Sequence, residues 1–236
     1  MKIAILNYNG NAGKTTIATY LLKPRMPDNT PYFSIESINQ GASDLGVNAA
    51  EQLKGNQFGQ VFENLMIEDN AIVDVGASNI ESFLAKWTEY EDASELFDLF
   101  IVPVTPNQKS VIETINIVDV LSRMRIPARK ILIVPNMIEE DPLEEIPQIY
   151  AYVKKEKKAW LDEDCMLYRS DIFTFLAGEK LSFEQLLAEE DLKERARQAT
   201  NLEERKSLAR LYRWQSMAKA FNRKLDAAYS VLEERL

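Results

Sequence analysis

Short, continuously apolar runs alternate along this chain with stretches whose apolar residues fall three or four positions apart. The runs Lys2–Leu6, Pro31–Ile35, Asn70–Val75, Leu96–Val102 and Lys130–Pro135 have the length and composition of buried strands. A weaker one lies near Cys165–Tyr168. Between them, the helical period covers Lys14–Leu22, Ser78–Tyr90, Lys109–Arg123 and Leu143–Lys155. Pro24 and Pro27 follow the first helix, and Pro106 opens another. Strands apolar on both faces and separated by helices predict an α/β fold whose mostly parallel sheet is covered on both sides.

The last segment has a different rhythm. Leu211, Trp214, Ala218, Phe221, Leu225, Ala228 and Leu232 are spaced alternately three and four apart, which draws one apolar stripe along a long helix. Such a stripe packs on the helical layer of the sheet or on a partner subunit. Membrane contact fits less well, because the helix ends in Glu233-Glu234. No repeat or low-complexity segment marks an independent second domain. The expected organisation is one α/β domain over 1–190, with a basic helical extension over 191–236 packed on it.

Composition narrows the chemistry. The 236 residues are 46% hydrophobic and 28% charged, which suits a globular core, and no apolar run approaches the ~18 residues of a membrane span. Lys2 runs straight into Ile3-Ala4-Ile5-Leu6, with none of the layout of a signal peptide. Cys165 is the single cysteine, and histidine is absent from the sequence. That removes disulfides, Cys or His metal clusters and Ser-His-Asp catalysis, and it fits a reducing cytoplasm. The net charge of −9 argues against a nucleic-acid coat. Yet between Lys193 and Lys224 ten basic residues face three acidic ones. That stretch reads either as a surface for DNA phosphates or as the solvated faces of an amphipathic helix.

The most informative segment is Tyr8-Asn9-Gly10-Asn11-Ala12-Gly13-Lys14-Thr15-Thr16. Binding a triphosphate takes backbone N–H groups turned inward by small residues, a helix N-terminus, a lysine for the β/γ oxygens and a hydroxyl for Mg²⁺. Gly10 and Gly13 suit the turn, Lys14 the charge and Thr15 the metal. Asn9, Asn11, Ala12 and Thr16 complete the cradle. Tyr8 stands where the usual pattern has its first glycine. A second anchor is Asp74, at the end of Ala71-Ile72-Val73-Asp74-Val75-Gly76. An acid at that edge can hold Mg²⁺ or its water beside the loop. The plainer readings are an Asn/Gly-rich turn before a helix, and an aspartate that caps the next helix.

These motifs, in this order, resemble the ParA/MinD class of P-loop ATPases. Ile101-Val102-Pro103-Val104-Thr105-Pro106 is similar to the strand end that follows the metal-binding aspartate in that class. Ile131-Leu132-Ile133-Val134-Pro135-Asn136 resembles the later strand whose terminal Asn helps read adenine. Phe33-Ser34-Ile35-Glu36 through Gln40-Gly41 resembles the second strand and its switch loop. The resemblance spans about residues 1–140. Asn-x-x-Gly-Asn-x-Gly-Lys-Thr-Thr, the Asp-Val-Gly-Ala turn and the tail Asn222–Asp226 look most like the StbB plasmid-stability proteins of conjugative plasmids.

The resemblance implies a three-layer P-loop NTPase fold, ATP/ADP and Mg²⁺ as cofactors, and a cytoplasmic, plasmid-encoded bacterial switch with no stable membrane insertion. It implies a homodimer, with DNA or a plasmid-encoded DNA-binding protein as partner through the basic C-terminal region. Lys14, Glu36 and Asp74 become the catalytic set. Asn9, Gly10, Asn11, Ala12, Gly13, Lys14, Thr15, Thr16 and Asn136 become the nucleotide site, and Thr15 and Asp74 the metal site. Two departures predict slow hydrolysis. Asn9 replaces the signature lysine that reaches across an ATP-sandwiched dimer. Ile38 occupies the place of the hydrolytic aspartate, leaving Glu36 or Asp44 to substitute. A metabolic P-loop ligase or kinase and a non-hydrolysing nucleotide-bound scaffold are the alternatives. The nitrogenase-iron-protein branch needs two cysteines per subunit, so it is excluded.

Overall fold

Alternation within the first strand, β1 (Lys2–Leu6), divides the core in two: Ile3 and Ile5 enter one apolar cluster, Ala4 and Leu6 the other. The computed structural model describes residues 1–35, 50–53, 58–91 and 93–235. Its other strands are β2 (Tyr32–Ile35), β3 (Ala50–Leu53), β4 (Ala71–Val75), β5 (Leu99–Val104), β6 (Ile131–Ile138) and β7 (Leu167–Tyr168). They pair in parallel in the order β3-β2-β4-β1-β5-β6-β7. β1 is therefore central: the chain leaves it for β2 on one side, returns to its flank as β4, and then crosses to β5 on the other side. The C-terminal end of β1 is the topological switch point, where an open α/β sheet forms its ligand crevice.

The helices are α1 (Lys14–Thr16), α2 (Phe58–Ile67), α3 (Ile80–Trp87), α4 (Gln108–Arg123), α5 (Pro142–Glu145), α6 (Pro147–Glu156), α7 (Ile172–Glu179), α8 (Phe183–Ala188), α9 (Leu192–Gln198) and α10 (Leu202–Arg235). α2, α3, α4 and α6 cover one face of the sheet, while the segment after α1 joins α7, α8 and α10 on the other. The fold is three-layered α/β/α, as expected. The tail stripe also lies on this chain's own core: Ala218, Phe221, Leu225, Ala228 and Leu232 are buried in the second cluster, with Leu211 and Trp214 at its margin.

The structure moves several predicted elements, each for a local reason. The helix expected over Lys14–Leu22 is α-helical only to Thr16 and π-helical over Ile17–Leu22, with the Lys23 N–H reaching back to Ala18 O. Pro147 splits the helix expected over Leu143–Lys155 into α5 and α6. The fifth strand begins at Leu99 and runs through Pro103. β1 pairs with β5 only as far as Ile101, so Pro103, whose carbonyl faces Asn7 on the β1 side, lacks an N–H only where that ladder has ended. It still pairs with Val134 of β6. β3 was not foreseen, because Ala50-Glu51-Gln52-Leu53 has little β propensity and forms the sheet edge. α2 and α7–α9 were also absent from the sequence reading.

Arg25 fastens the tail to the end of the helical segment that follows β1. Its guanidinium donates to Tyr20 O (2.8 Å) at one end and to Asn222 Oδ1 (2.9 Å) and Asp226 Oδ1 (2.8 Å) on α10 at the other. Pro24 lacks an N–H, and the Met26 N–H goes to Leu22 O (3.0 Å). Arg25 thus serves carbonyls at a helix end where the backbone ladder is interrupted.

Candidate functional site

The loop between β1 and α1 is shaped by asparagines. The Asn9 N–H donates to Asn7 Oδ1 (2.7 Å), and the Asn11 N–H donates to Asn9 Oδ1 (2.9 Å). These are two successive Asx turns, each spanning two residues. Asn7 is fully buried and also donates to Pro103 O (2.7 Å) and Thr114 Oγ1 (2.8 Å), tying the loop's start to β5 and α4. The Asx turns explain the missing first glycine. Among the loop's residues only Gly13 has positive φ, so Tyr8 needs no glycine-like freedom and packs half-buried against the core.

Gly13 is required twice. Its φ of 86° is left-handed, and a Cβ there would sit 2.0 Å from Asn136 Nδ2. Asn136 ends the regular part of β6, where the register shifts and Met137 takes φ 59°. This irregularity aims the buried Asn136 amide at the loop: Nδ2 donates to Ala12 O (2.9 Å), and Oδ1 accepts from the Met137 N–H (2.9 Å). Asn136 therefore lies under the β1–α1 loop as a brace. Gly10 differs from Gly13, because a Cβ on it meets nothing within 4 Å.

Lys14 is buried and lies back along the loop, its Nζ donating to Asn9 O (2.9 Å) and Asn7 O (3.1 Å). Thr15 Oγ1 donates to Asp74 Oδ2 (2.8 Å), so the loop and the end of β4 meet as the sequence predicts. Asp74 does not cap the next helix. The 3₁₀ turn Ala77–Asn79 and α3 start without a side-chain capping bond, and the carboxylate turns to Thr15 instead. Tyr32 OH reaches the same oxygen at 3.0 Å. Asp74 Oδ1 is buried without a hydrogen-bond partner. Burial pushes the Asp74 carboxyl above the usual range, opposed by the Thr15 hydrogen bond, the Lys14 ammonium and the Tyr32 hydroxyl.

Thr16 follows Thr15 in α1, partly buried. Glu36, with Ile38, Gln40, Gly41 and Asp44, lies outside the described residues. Sequence reasoning missed Asn7 and Tyr32 as parts of the site. Asn7 stands within the quoted asparagine pattern, whereas Tyr32 looks like an ordinary strand residue and gives no signal. A cleft of about 590 Å³ beyond the end of β6 is lined by Thr105, Pro106, Asn107, Met137, Arg169 and a group of carboxylates that includes Glu140 and Asp141.

The basic tail is partly neutralised by its own chain. Arg195 pairs with Glu189 (2.8 Å), Lys206 with Glu203 (3.3 Å) and Arg210 with Glu179 (3.3 Å), while Lys224 lies 3.8 Å from the centroid of the Tyr168 ring. Among the described residues no helix is long and apolar enough to cross a membrane.

No protein-family model matches the chain, and no curated protein sequence matches it either. Solved structures do. The cell division ATPase MinD of Pyrococcus furiosus superposes with a TM-score of 0.54 at 12% identity, over 92% of this chain and 98% of that one. MinD in a MinC:MinD complex from Aquifex aeolicus gives 0.53 at 12% identity, over 79% and 87%. The septum site-determining protein MinD of Pyrococcus horikoshii OT3, complexed with Mg-ADP, gives 0.50 at 12% identity, over 89% and 93%. At such identities likeness speaks for the fold: the chain has the three-layer α/β fold of these MinD structures.

Proposed function

We propose that this chain is a Mg-ATP-dependent switch of the ParA/MinD type, acting in plasmid stability or segregation. One observation carries the nucleotide part: a buried Asp74 whose Oδ2 is bonded to Thr15 of the loop and whose Oδ1 has no partner. A buried acceptor without a partner costs about 1–3 kcal/mol. Mg²⁺, or a water bound to it, is the partner this oxygen fits, since hard cations take carboxylate and hydroxyl oxygens.

In this account the loop N–H groups from Gly10 to Thr16 receive the phosphates, and Thr15 and Asp74 hold the metal. Lys14 exchanges its bonds to Asn7 O and Asn9 O for phosphate oxygens. Bound Mg²⁺ supplies charge neutralisation across the phosphates. Asn136 keeps the cradle's shape, and the cleft beside Pro106 and Met137 takes the base. Asn9 carries no charge, and its carboxamide oxygen is occupied by the Asn11 N–H. It does not serve a phosphate on a second subunit as a lysine does, so turnover is slow and Glu36 or Asp44 is left to orient water. The ordered state controls dimerisation or partner binding, with the basic tail as the surface for DNA or a DNA-binding protein.

The test combines calorimetric titration with ADP and ATP and measurement of molecular mass with ADP, with ATP and with neither. Micromolar or tighter binding that Lys14→Ala abolishes, together with an ATP-specific change in mass, is expected. Unchanged binding in Lys14→Ala would end the nucleotide reading. A mass indifferent to nucleotide would remove the switch. Plasmid loss in cells carrying Lys14→Ala is the corresponding outcome for the plasmid role.

A further inference from the structure

Tyr32 has no place in the phosphate-loop or metal motif, yet its hydroxyl ends on the carboxylate at the centre of the site. The sheet register explains how. β2 pairs with β4 so that Tyr32 lies opposite Ile72 and Ser34 opposite Asp74. Tyr32 is thus two residues short of Asp74 on the same face, and its ring extends along that face towards the C-terminal edge. The ring is 1% exposed and belongs to the cluster that contains Ile3, Ile5 and Ile72.

The two donors on Asp74 Oδ2 differ in kind. Thr15 stands in α1, at the end of the loop that would receive a ligand. Tyr32 belongs to β2, a strand paired on both sides, with β3 and with β4. The terminal torsion of an aspartate is soft, so the direction of its free oxygen is set by whatever holds the other one. With Oδ2 held at 2.8 Å from Thr15 and 3.0 Å from Tyr32, Oδ1 is left as the presented atom.

We propose that Tyr32 is a positioning residue for the metal: its hydroxyl holds Asp74 Oδ2 and thereby presents Oδ1 to Mg²⁺. The role rests on the nucleotide reading above and adds a residue that acts on the metal alone, through Asp74. Nucleotide binding without Mg²⁺ depends on the loop N–H groups and Lys14, which Tyr32 does not touch through this bond.

The experiment measures ADP affinity in EDTA and then its dependence on Mg²⁺ concentration, for wild type, Tyr32→Phe, Asp74→Asn and the double variant. Phenylalanine keeps the ring in the core and removes only the hydroxyl. Tyr32→Phe should match wild type in EDTA and need about tenfold more Mg²⁺ to reach half of the metal-dependent tightening, as loss of a hydrogen bond to a charged group implies. Added to Asp74→Asn, it should cost nothing further, because a residue acting through another is silent once that other is gone.

A Mg²⁺ midpoint that Tyr32→Phe does not move overturns the role, and so does an effect that adds fully to Asp74→Asn. Equal weakening in EDTA and in Mg²⁺ also overturns it, since Tyr32 then acts on the loop through packing. Wild type that binds ADP in neither condition overturns the nucleotide reading and takes this role with it. Normal Mg²⁺-dependent binding, indifferent to Tyr32→Phe, removes this role alone.

Discussion

Replacing Gly13 with alanine tests the geometry of the loop at its tightest point. Two costs arise. A non-glycine residue in the left-handed region costs about 1–2 kcal/mol, and the native φ here is 86°. The added Cβ would also lie 2.0 Å from Asn136 Nδ2, far inside contact distance, so the amide or the loop must shift. Moving the amide breaks its bond to Ala12 O, and a buried carbonyl left unpaired costs about 1–3 kcal/mol. Together these give about 2–5 kcal/mol. If the fold bears the cost, urea unfolding reports it directly. If the loop yields instead, it appears as nucleotide affinity weakened roughly 30-fold to several thousand-fold. The cycle with Asn136→Ala separates the parts. Both single variants break the same hydrogen bond, so the double variant should be less damaged than the sum by about 1–3 kcal/mol. Strict additivity, or a Gly13→Ala protein equal to wild type in both stability and affinity, would refute the reasoning.

Two further predictions concern parts outside the loop. Arg25→Ala should cost about 2–3 kcal/mol, because it strips donors from Tyr20 O and from Asn222 and Asp226 on α10. Hydrogen exchange should then speed up around 20–22 and along the buried stripe of α10, and unchanged protection there would contradict the latch. Burial, with the nearby Asp162 charge, pushes the Cys165 thiol up to about 12. About one molecule in 10⁴ is then thiolate at pH 8, so a thiol reagent should label the chain only as fast as it opens. The folded thiol keeps its proton where the unfolded one loses it. Its contribution therefore leaves stability flat below the ordinary thiol range and lowers it as pH rises from there towards 12.

The asparagines show where sequence and structure divide. The pattern of apolar runs was enough for the α/β class, because strands buried on both faces and helices with one apolar side have distinct periods. The loop's contents were legible too, since phosphate chemistry limits what can stand between a strand and a helix. Tyr8 looked like a defect in the motif for lack of one fact: whether its backbone needs positive φ. That depends on hydrogen bonds accepted by the Asn7 and Asn9 side chains, which periodicity does not report.

Asn136 shows the same limit from a distance. Its position at a strand end was clear, but 124 residues separate it from Ala12, and only the pairing of β1 with β5 and of β5 with β6 brings them together. Tyr32 and Arg25 are more extreme, being a strand residue and a post-helix residue with no motif around them. The order of strands places one hydroxyl on Asp74, and the docking of α10 places one guanidinium between two helices.

The sequence by itself determined the local periods, the phosphate loop and the acid at the end of β4, because each is set by residues within a few positions of one another. Tertiary structure alone decided which side chains brace that loop, which oxygen of Asp74 is left unpartnered, and where the tail lies. Those outcomes depend on sheet register and helix docking, whose energies come from contacts between residues far apart in the chain.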